Sequence, residues 1–290
     1  MKEMFNFFTR HSEKITKEKT SSESKRYKGL TDPGGVEKAR KTAREQLKPM
    51  IDNLPPDAVI AILGASDLIR TKSTAEIYGD ELKEIFAGDE KILVKTKSEI
   101  EGIKKPGINT IDELAKEINS NPNKKIILDY PMIIKEFSLS YLNRWMDKEG
   151  VYNDYCNKLI EITNGDDDAA FVEWVKSNGE FGNIKGPKPE EVAQSYKKGF
   201  ERLRNFVAKQ ISDRPIYIGG TNHSWDLDAF VTYMTHGKID QESIKDIMGE
   251  KQEIIKETEP FYFKIEGNKI TSNYRGKNYE LSLNNEEGGK

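Results

Sequence analysis

Three histidines occur in the 290-residue chain, and two of them close short apolar runs. His11 follows Met4-Phe5-Asn6-Phe7-Phe8-Thr9-Arg10, and His223 follows Ile216-Tyr217-Ile218-Gly219-Gly220-Thr221-Asn222. Short apolar runs of this kind read as strands, and an open α/β sheet holds its ligands beyond the carboxyl ends of its strands. A neutral imidazole is a nucleophile and a guanidinium grips phosphate oxygens bidentately, so Arg10-His11 at a strand end suits attack on phosphorus. Taken alone, the dipeptide reads equally simply as ordinary core or surface. Ser66 and Arg70 sharpen it, because four-residue spacing puts them on one face of a helix whose positive amino terminus points at the same crevice. His223 supplies a second imidazole, able to stabilise charge on the equatorial oxygens of a transferring phosphoryl group.

The elements that must position these residues alternate along the chain. Val36, Ala39, Ala43, Leu47 and Met50 recur at helical spacing over Gly34 to Leu54, and Pro55-Pro56 ends the helix. A buried strand, Ala58 to Leu63, leads through Gly64-Ala65-Ser66-Asp67 into a helix reaching about Phe86, with Ser66 as its expected N-cap. Lys91 to Lys95 and Lys125 to Leu128 read as short strands. Thr110-Ile111-Asp112-Glu113 has the form of a capping box. Ser138 to Lys176 is aromatic-rich and mostly helical in pattern, with a break at Asn164-Gly165. A long amphipathic helix spans Pro189 to Ile211, the strand Ile216 to Ile218 follows, and Leu227 to Met234 starts the next helix. Alternation around Gly267-Asn268 and Arg275-Gly276 between Phe261 and Leu283 predicts β-hairpins. The expected fold is an α/β three-layer sandwich. A mostly parallel central sheet is flanked by helices, with a helical insertion and C-terminal β-hairpins. One domain over 1–290 is expected, with a helical cap at about 102–186, and the Ser/Lys/Glu-rich stretch Ser12 to Lys28 forms an exposed loop over the site.

Composition excludes several classes. A net charge of -3 from 46 basic and 49 acidic residues, interspersed along the chain, calls for no nucleic acid partner. The single cysteine, Cys156, leaves no internal disulfide and no cysteine metal cluster. No apolar stretch approaches the ~20 residues needed to span a bilayer, so no membrane association is expected. The amino terminus lacks the apolar core of a signal peptide, and a cytoplasmic location follows as the expectation. Asp166-Asp167-Asp168 reads as acidic residues opening a helix rather than as a metal run. His236 beside Gly237 reads as a helix end, Cys156 as buried, and Trp145, Trp174 and Trp225 as packing residues, with Trp225 near enough to His223 to line a pocket.

Thr9-Arg10-His11, Gly29-Leu30-Thr31 with Gly34 or Gly35 and Ala39, Ser66 to Ala75 with its Arg70, Thr74 and Ala75, and Asn222-His223 occur in that order. Together they resemble the landmarks of the histidine phosphatase superfamily, the phosphoglycerate mutase-like enzymes. The resemblance covers roughly the first ninety residues and the segment around Ile216 to Met234. It implies phosphomonoester hydrolysis through a phosphohistidine on His11, with Arg10, Arg70 and His223 holding the phosphoryl oxygens and no cofactor or metal. The partner implied is a small phosphorylated substrate.

The resemblance also implies a carboxylic acid that protonates the leaving oxygen. Glu99 is the first choice, Glu101 the second and Asp226 the third; Ser224 stands directly after His223, where another branch of the family has its aspartate. Ser12 replaces the glycine often found after the first histidine, and its hydroxyl is expected on the phosphate. The Ser12 to Lys28 loop lacks the family's asparagine contact, which leaves Asn222 as the asparagine adjoining the site. The alternatives are a phosphoglycerate mutase-type phosphotransferase and a non-catalytic phosphate-binding or interaction protein. Neither the physiological substrate nor the oligomeric state is legible in the sequence.

Overall fold

Phe7 and Phe8 are adjacent in one strand, so they point to opposite faces of the sheet, and each enters a different core. The computed structural model describes residues 5–13, 27–30, 33–64, 66–103, 110–130, 134–210, 214–249, 251, 253–266 and 269–282. Most of the loop expected over Ser12 to Lys28 lies outside the described residues. In the first half of the chain, β1 (Phe5–Arg10) precedes α1 (Gly34–Thr42), which runs through a π-helical turn at Ala43–Leu47 into α2 (Lys48–Asp52). Then come β2 (Val59–Gly64), α3 (Ile69–Ile85), β3 (Ile92–Lys95), α4 (Lys97–Gly102), α5 (Thr110–Asn119) and β4 (Lys125–Tyr130). Two 3-10 turns, Lys135–Phe137 and Tyr141–Asn143, lead to α6 (Asp154–Ile162), α7 (Asp167–Ser177) and a small hairpin of β5 (Glu180–Phe181) and β6 (Ile184–Lys185). The remainder is α8 (Pro189–Gln210), β7 (Ile216–Asn222), α9 (Ser224–His236), α10 (Gln241–Met248), β8 (Pro260–Glu266), β9 (Lys269–Tyr274) and β10 (Lys277–Ser282).

The central sheet has the strand order β10-β9-β8-β1-β7-β2-β4-β3. Strands β1, β7, β2, β4 and β3 are mutually parallel, and β8 to β10 add an antiparallel meander at β1. The Phe7 face carries Val36, Ala39, Leu47, Tyr78 and Leu82, so α1 to α3 cover it. Phe8 stands on the other face, where Tyr196 and Phe200 of α8, Phe230 of α9, and Phe137, Trp145 and Trp174 enclose it. Strand β2 divides in the same way, with Val59 and Leu63 in one core and Ile60 and Ile62 in the other. Strands buried on both faces read as continuous apolar runs for this reason. The α/β sandwich with a mostly parallel sheet and C-terminal hairpins is the architecture observed.

Four details differ from the sequence expectation. Strand β7 extends through Gly219-Gly220 to Asn222 instead of stopping at Ile218, because a missing side chain admits a close neighbour rather than ending the strand. Phe7 pairs with Gly219 and Phe8 with Gly220, and a Cβ on Gly219 would stand 1.9 Å from the Phe7 ring. Helix α3 begins at Ile69 with Leu68 as its N-cap and no side-chain cap, so Ser66 does not cap it. Thr110 is the first residue of α5 rather than a residue ahead of it. Finally, β4 falls inside the interval 102–186 yet belongs to the sheet between β2 and β3, and the helices beside the site come from 154–177. Among the described residues, no helix is long and apolar enough to cross a membrane.

The Phe7–Gly219 contact has a measurable consequence. Gly219→Ala is expected to lower unfolding stability by about 1–3 kcal/mol through overpacking, read from the urea midpoint; an unchanged midpoint would show that β1 and β7 can separate without cost.

Candidate active site

The parallel pairing of β1 with β7 sets Arg10 against Asn222, and the His11 amide then donates to the Asn222 carbonyl at 2.8 Å. The next residue on each strand is a histidine, and the two rings lie 5.4 Å apart between centroids. Helix α3 is fastened beside them by backbone contact. Thr221 Oγ1 donates to the Thr71 carbonyl at 2.6 Å, and a Cβ on Gly64 would meet the Lys72 Cα at 2.5 Å. Thr74 Oγ1 accepts from the Ser12 amide at 3.0 Å and donates to the Arg70 carbonyl at 2.9 Å. The Ser66 to Ala75 stretch thus joins the His11 turn to the helix that carries Arg70.

Arg70 lies between the imidazoles. Its Nε donates to His11 Nε2 at 2.9 Å, and its Nη2 is 3.3 Å from His223 Nδ1. His11 Nδ1 is 2.7 Å from the Ser12 carbonyl, which can only accept, so the Nδ1 proton is fixed there and Nε2 presents its lone pair. On the other ring, the Ser66 hydroxyl donates to Asp67 Oδ1 at 2.9 Å and is 2.7 Å from His223 Nε2. That oxygen can accept the Nε2 proton, leaving Nδ1 toward Arg70. Burial lowers the pKa of the Arg70 guanidinium; Tyr152 opposes the shift and the Arg10 cation adds to it. The charge is retained, since arginine does not deprotonate in proteins.

Arg10 is the second cation. Its Nη1 donates to the Ile255 carbonyl at 3.2 Å and its Nη2 meets Asp167 Oδ2 at 3.3 Å. Its Nε is buried without a hydrogen-bond partner among the described residues. A buried donor left unsatisfied costs about 1–3 kcal/mol, and a phosphate oxygen would relieve it. Arg10, His11, Arg70 and His223 line one cavity of about 290 Å³ together with Asp167 and Asp226.

The other sequence candidates lie elsewhere or have other partners. Ser12 is fully buried, and its hydroxyl donates to the Gly35 carbonyl at 2.5 Å. Asn222 is buried too, and its Oδ1 accepts from Tyr196 and from the His223 amide, so it orients the second histidine. Glu99 does not line the cavity. It is the third residue of α4, where it completes a capping box with Thr96 and meets Lys83 Nζ at 2.5 Å. Burial disfavours the ionised form of Glu99, but hydrogen bonds from Lys83 and Thr96 outweigh it and hold the carboxyl below its ordinary pKa. Glu101 is exposed on the same short helix. Asp226 does reach the cavity, but Oδ1 accepts from Trp145 Nε1 at 2.5 Å and Oδ2 from Arg144 at 2.8 Å.

Asp167 was legible only as a helix-opening acid. Asp166 does cap α7 and Asp168 accepts from the Ile254 amide at 2.9 Å, whereas Asp167 alone of the run lines the cavity. No sequence signal separates the three. The Trp225 indole donates to the Asp167 carbonyl at 3.0 Å, so a residue beside His223 pins the start of α7 over the site. Among the described residues, no group of three or more His, Cys, Asp and Glu could hold a metal ion.

No family model and no curated protein matches the chain. Among solved structures, it is similar to a protein described as mycobacterial hydrolase 2, with 12% identity, a TM-score of 0.44, and coverage of 91% of this chain and 83% of that one. The native mycobacterial glucosyl-3-phosphoglycerate phosphatase aligns at 11% identity and a TM-score of 0.41, covering 89% of each chain. Mycobacterial hydrolase 1 aligns at 10% identity and a TM-score of 0.42, covering 96% of each. The chemistry of the site rests on the residues described above.

The position of Glu99 is testable by substitution. Glu99→Gln is expected to cost about 0.5 kcal/mol of stability, as a first-turn carboxylate lost from an exposed helix, and to leave inorganic phosphate affinity, read by calorimetry, unchanged. A large loss of that affinity would return Glu99 to the site.

Proposed function

We propose that the chain is a phosphomonoesterase of the histidine phosphatase superfamily, acting through a phosphohistidine on His11. The observation that carries this reading is the Arg70 guanidinium set between two imidazoles, beside a buried Arg10 Nε that has no partner among the described residues. Two desolvated guanidiniums make a site for an anion with several oxygens, and a phosphoryl group fits that demand. On binding, its oxygens take the Arg70 donors. The Nε2 lone pair of His11 is thereby released to face phosphorus, with Nδ1–H still held by the Ser12 carbonyl.

The first step forms the His11 Nε2–P bond and breaks the P–O ester bond, the bonding electrons leaving on the ester oxygen. That oxygen needs a proton, and Asp167 is our choice of donor. Of the two carboxylates lining the cavity among the described residues, Asp226 is held by Arg144 and Trp145, whereas Asp167 contacts Arg10 alone through its carboxylate, at 3.3 Å. Phosphate binding to Arg10 would displace that contact and free the Asp167 carboxyl to approach the leaving oxygen. In the second step the Asp167 carboxylate takes a proton from water, the water oxygen bonds to phosphorus, and the P–N bond breaks to release inorganic phosphate. His223 is not the acid in this scheme; with a proton on Nδ1 as well as on Nε2, it would donate a hydrogen bond to an equatorial oxygen.

A mutase would need a further cationic cluster for the substrate's carboxylate. Among the described lining residues, Arg10 and Arg70 are the only arginines or lysines, which favours hydrolysis over return of the phosphoryl group.

His11→Ala is expected to abolish hydrolysis of 4-nitrophenyl phosphate, and wild type incubated with labelled substrate and quenched in alkaline detergent is expected to carry an alkali-stable, acid-labile label that the variant lacks. Full turnover in the folded variant would sink the mechanism. Asp167→Asn is expected to lower kcat/KM for alkyl phosphates by about 10²–10⁴-fold, while kcat/KM for 4-nitrophenyl phosphate, whose leaving group needs no proton, changes far less, because this ratio reads only the steps through formation of the phosphohistidine. Equal losses on both would place the acid elsewhere.

A further inference from the structure

We infer that the cavity beyond the phosphoryl end is a leaving-group pocket for a compact apolar or aromatic alcohol, so that the substrates are phosphate monoesters of that class. This rests on the phosphomonoesterase reading and specifies its substrate. Besides the arginines, histidines and two aspartates, the described residues lining the cavity include Leu139, Trp145, Tyr152, Cys156, Ile160 and Trp225. All but Trp225 come from the segment between β4 and α7.

The two indole donors of this wall are already occupied. Trp145 Nε1 donates to Asp226 at 2.5 Å and Trp225 Nε1 to the Asp167 carbonyl at 3.0 Å. With both indole donors used, the rings offer a ligand their carbon surfaces. The two indoles meet edge to face with centroids 5.2 Å apart, and Trp145 also packs against Trp174 at 4.8 Å, so the wall is held rigid. Burial pushes the Cys156 thiol up to about 12, which keeps it neutral. Asp226 faces the cavity with its charge paired to Arg144. A glycerate or sugar leaving group would bring a carboxylate or several hydroxyl groups against these ring faces, at a cost of about 1–3 kcal/mol for each group left unpaired. A single ring would instead bury apolar surface against aromatic faces. At about 290 Å³ for phosphoryl and leaving group together, the space sits at the small end of ligand cavities.

Two measurements separate the pocket from the chemistry. Calorimetric binding of benzylphosphonate and methylphosphonate, neither of which can be hydrolysed, reads the pocket alone. The benzyl compound is expected to bind at least about tenfold more tightly, and Tyr152→Ala, at a position 43% exposed, is expected to narrow that ratio. Equal affinities for the two phosphonates would overturn the inference whatever the enzyme hydrolyses. Turnover is compared among benzyl phosphate, glycerol 3-phosphate and 3-phosphoglycerate, whose alkoxide leaving groups all need protonation. Benzyl phosphate is expected to lead in kcat/KM by at least about tenfold; a lead by either of the others also overturns the pocket, while His11-dependent phosphate release keeps the hydrolytic reading intact. Benzylphosphonate selectivity without phosphate release from any ester would instead retain the pocket and overturn the hydrolase.

Discussion

The pairing of two phenylalanines in β1 with two glycines in β7 sets the positions on which the rest of the site depends. Phe7 lies opposite Gly219 and Phe8 opposite Gly220, and on the Phe7 side there is no room for even a methyl group. Slipping the parallel pair by one residue would press a ring against Ile218 or Thr221 and exchange the faces of every side chain in the strand. The register is therefore fixed by packing in the middle of the sheet, well below the site. Its effect appears at the strand ends, where Arg10 is opposite Asn222 and both chains continue into a histidine. The same phenylalanines enter the two cores, so the forces that hold the sandwich together also align the imidazoles.

Around that alignment the site is organised by charge removed from water. Arg70 is partly desolvated, directed at two imidazole nitrogens, and close to a second guanidinium. Neutral nitrogens are weak partners for a buried cation, and among the described residues Arg10 is ion-paired with one exposed carboxylate, Asp167, 52% accessible at its side chain. The protein maintains this imbalance through many ties. Thr74 holds the helix to the His11 turn, Ser66 and Asn222 orient His223, and the Ile255 carbonyl restrains Arg10. Preorganised donors of this kind need no rearrangement when negative charge arrives, which is where electrostatic stabilisation of a transferring phosphoryl group gains its strength.

Much of this was legible in the sequence, and the limits have physical causes. Apolar runs marked β1, β2 and the start of β7, and helical spacing marked α1 through α3 and α8, because those segments bury one face or both against the sheet. Arg10, His11, Arg70 and His223 were readable as one group because each sits where a strand or helix ends at the crevice. Ser66 looked like a helix cap because the residue type suits both that role and a hydrogen bond to an imidazole; only the approach of His223 decides between them. The strand was read only to Ile218, since the glycine pair Gly219-Gly220 does not reveal the rings that lie over it. Glu99 satisfied the family's spacing but stands three residues after Thr96, where a capping box forms, and local hydrogen bonds with Lys83 and Thr96 hold it there.

Of the residues lining the cavity, Asp167 was hardest to read because no periodicity or motif connects it to the histidines. Asp167 reaches the cavity only because α6 and α7 fold over the carboxyl ends of the sheet, and the break at Asn164-Gly165, where both residues have positive φ, turns the chain back toward Arg10. The indole of Trp225 then holds the Asp167 carbonyl, which links the start of α7 to the residue two places beyond His223. Apart from Trp225, the aromatic wall and the carboxylate thus arrive on one continuous segment. If Asp167 is the proton donor we propose, such an arrangement would couple selection of the leaving group to its protonation: a group packed against Trp145 and Trp225 would lie beside that carboxylate. A change in that segment would then alter specificity and the proton-transfer step together, while the end of the cavity built from β1, β7 and α3 would keep its geometry.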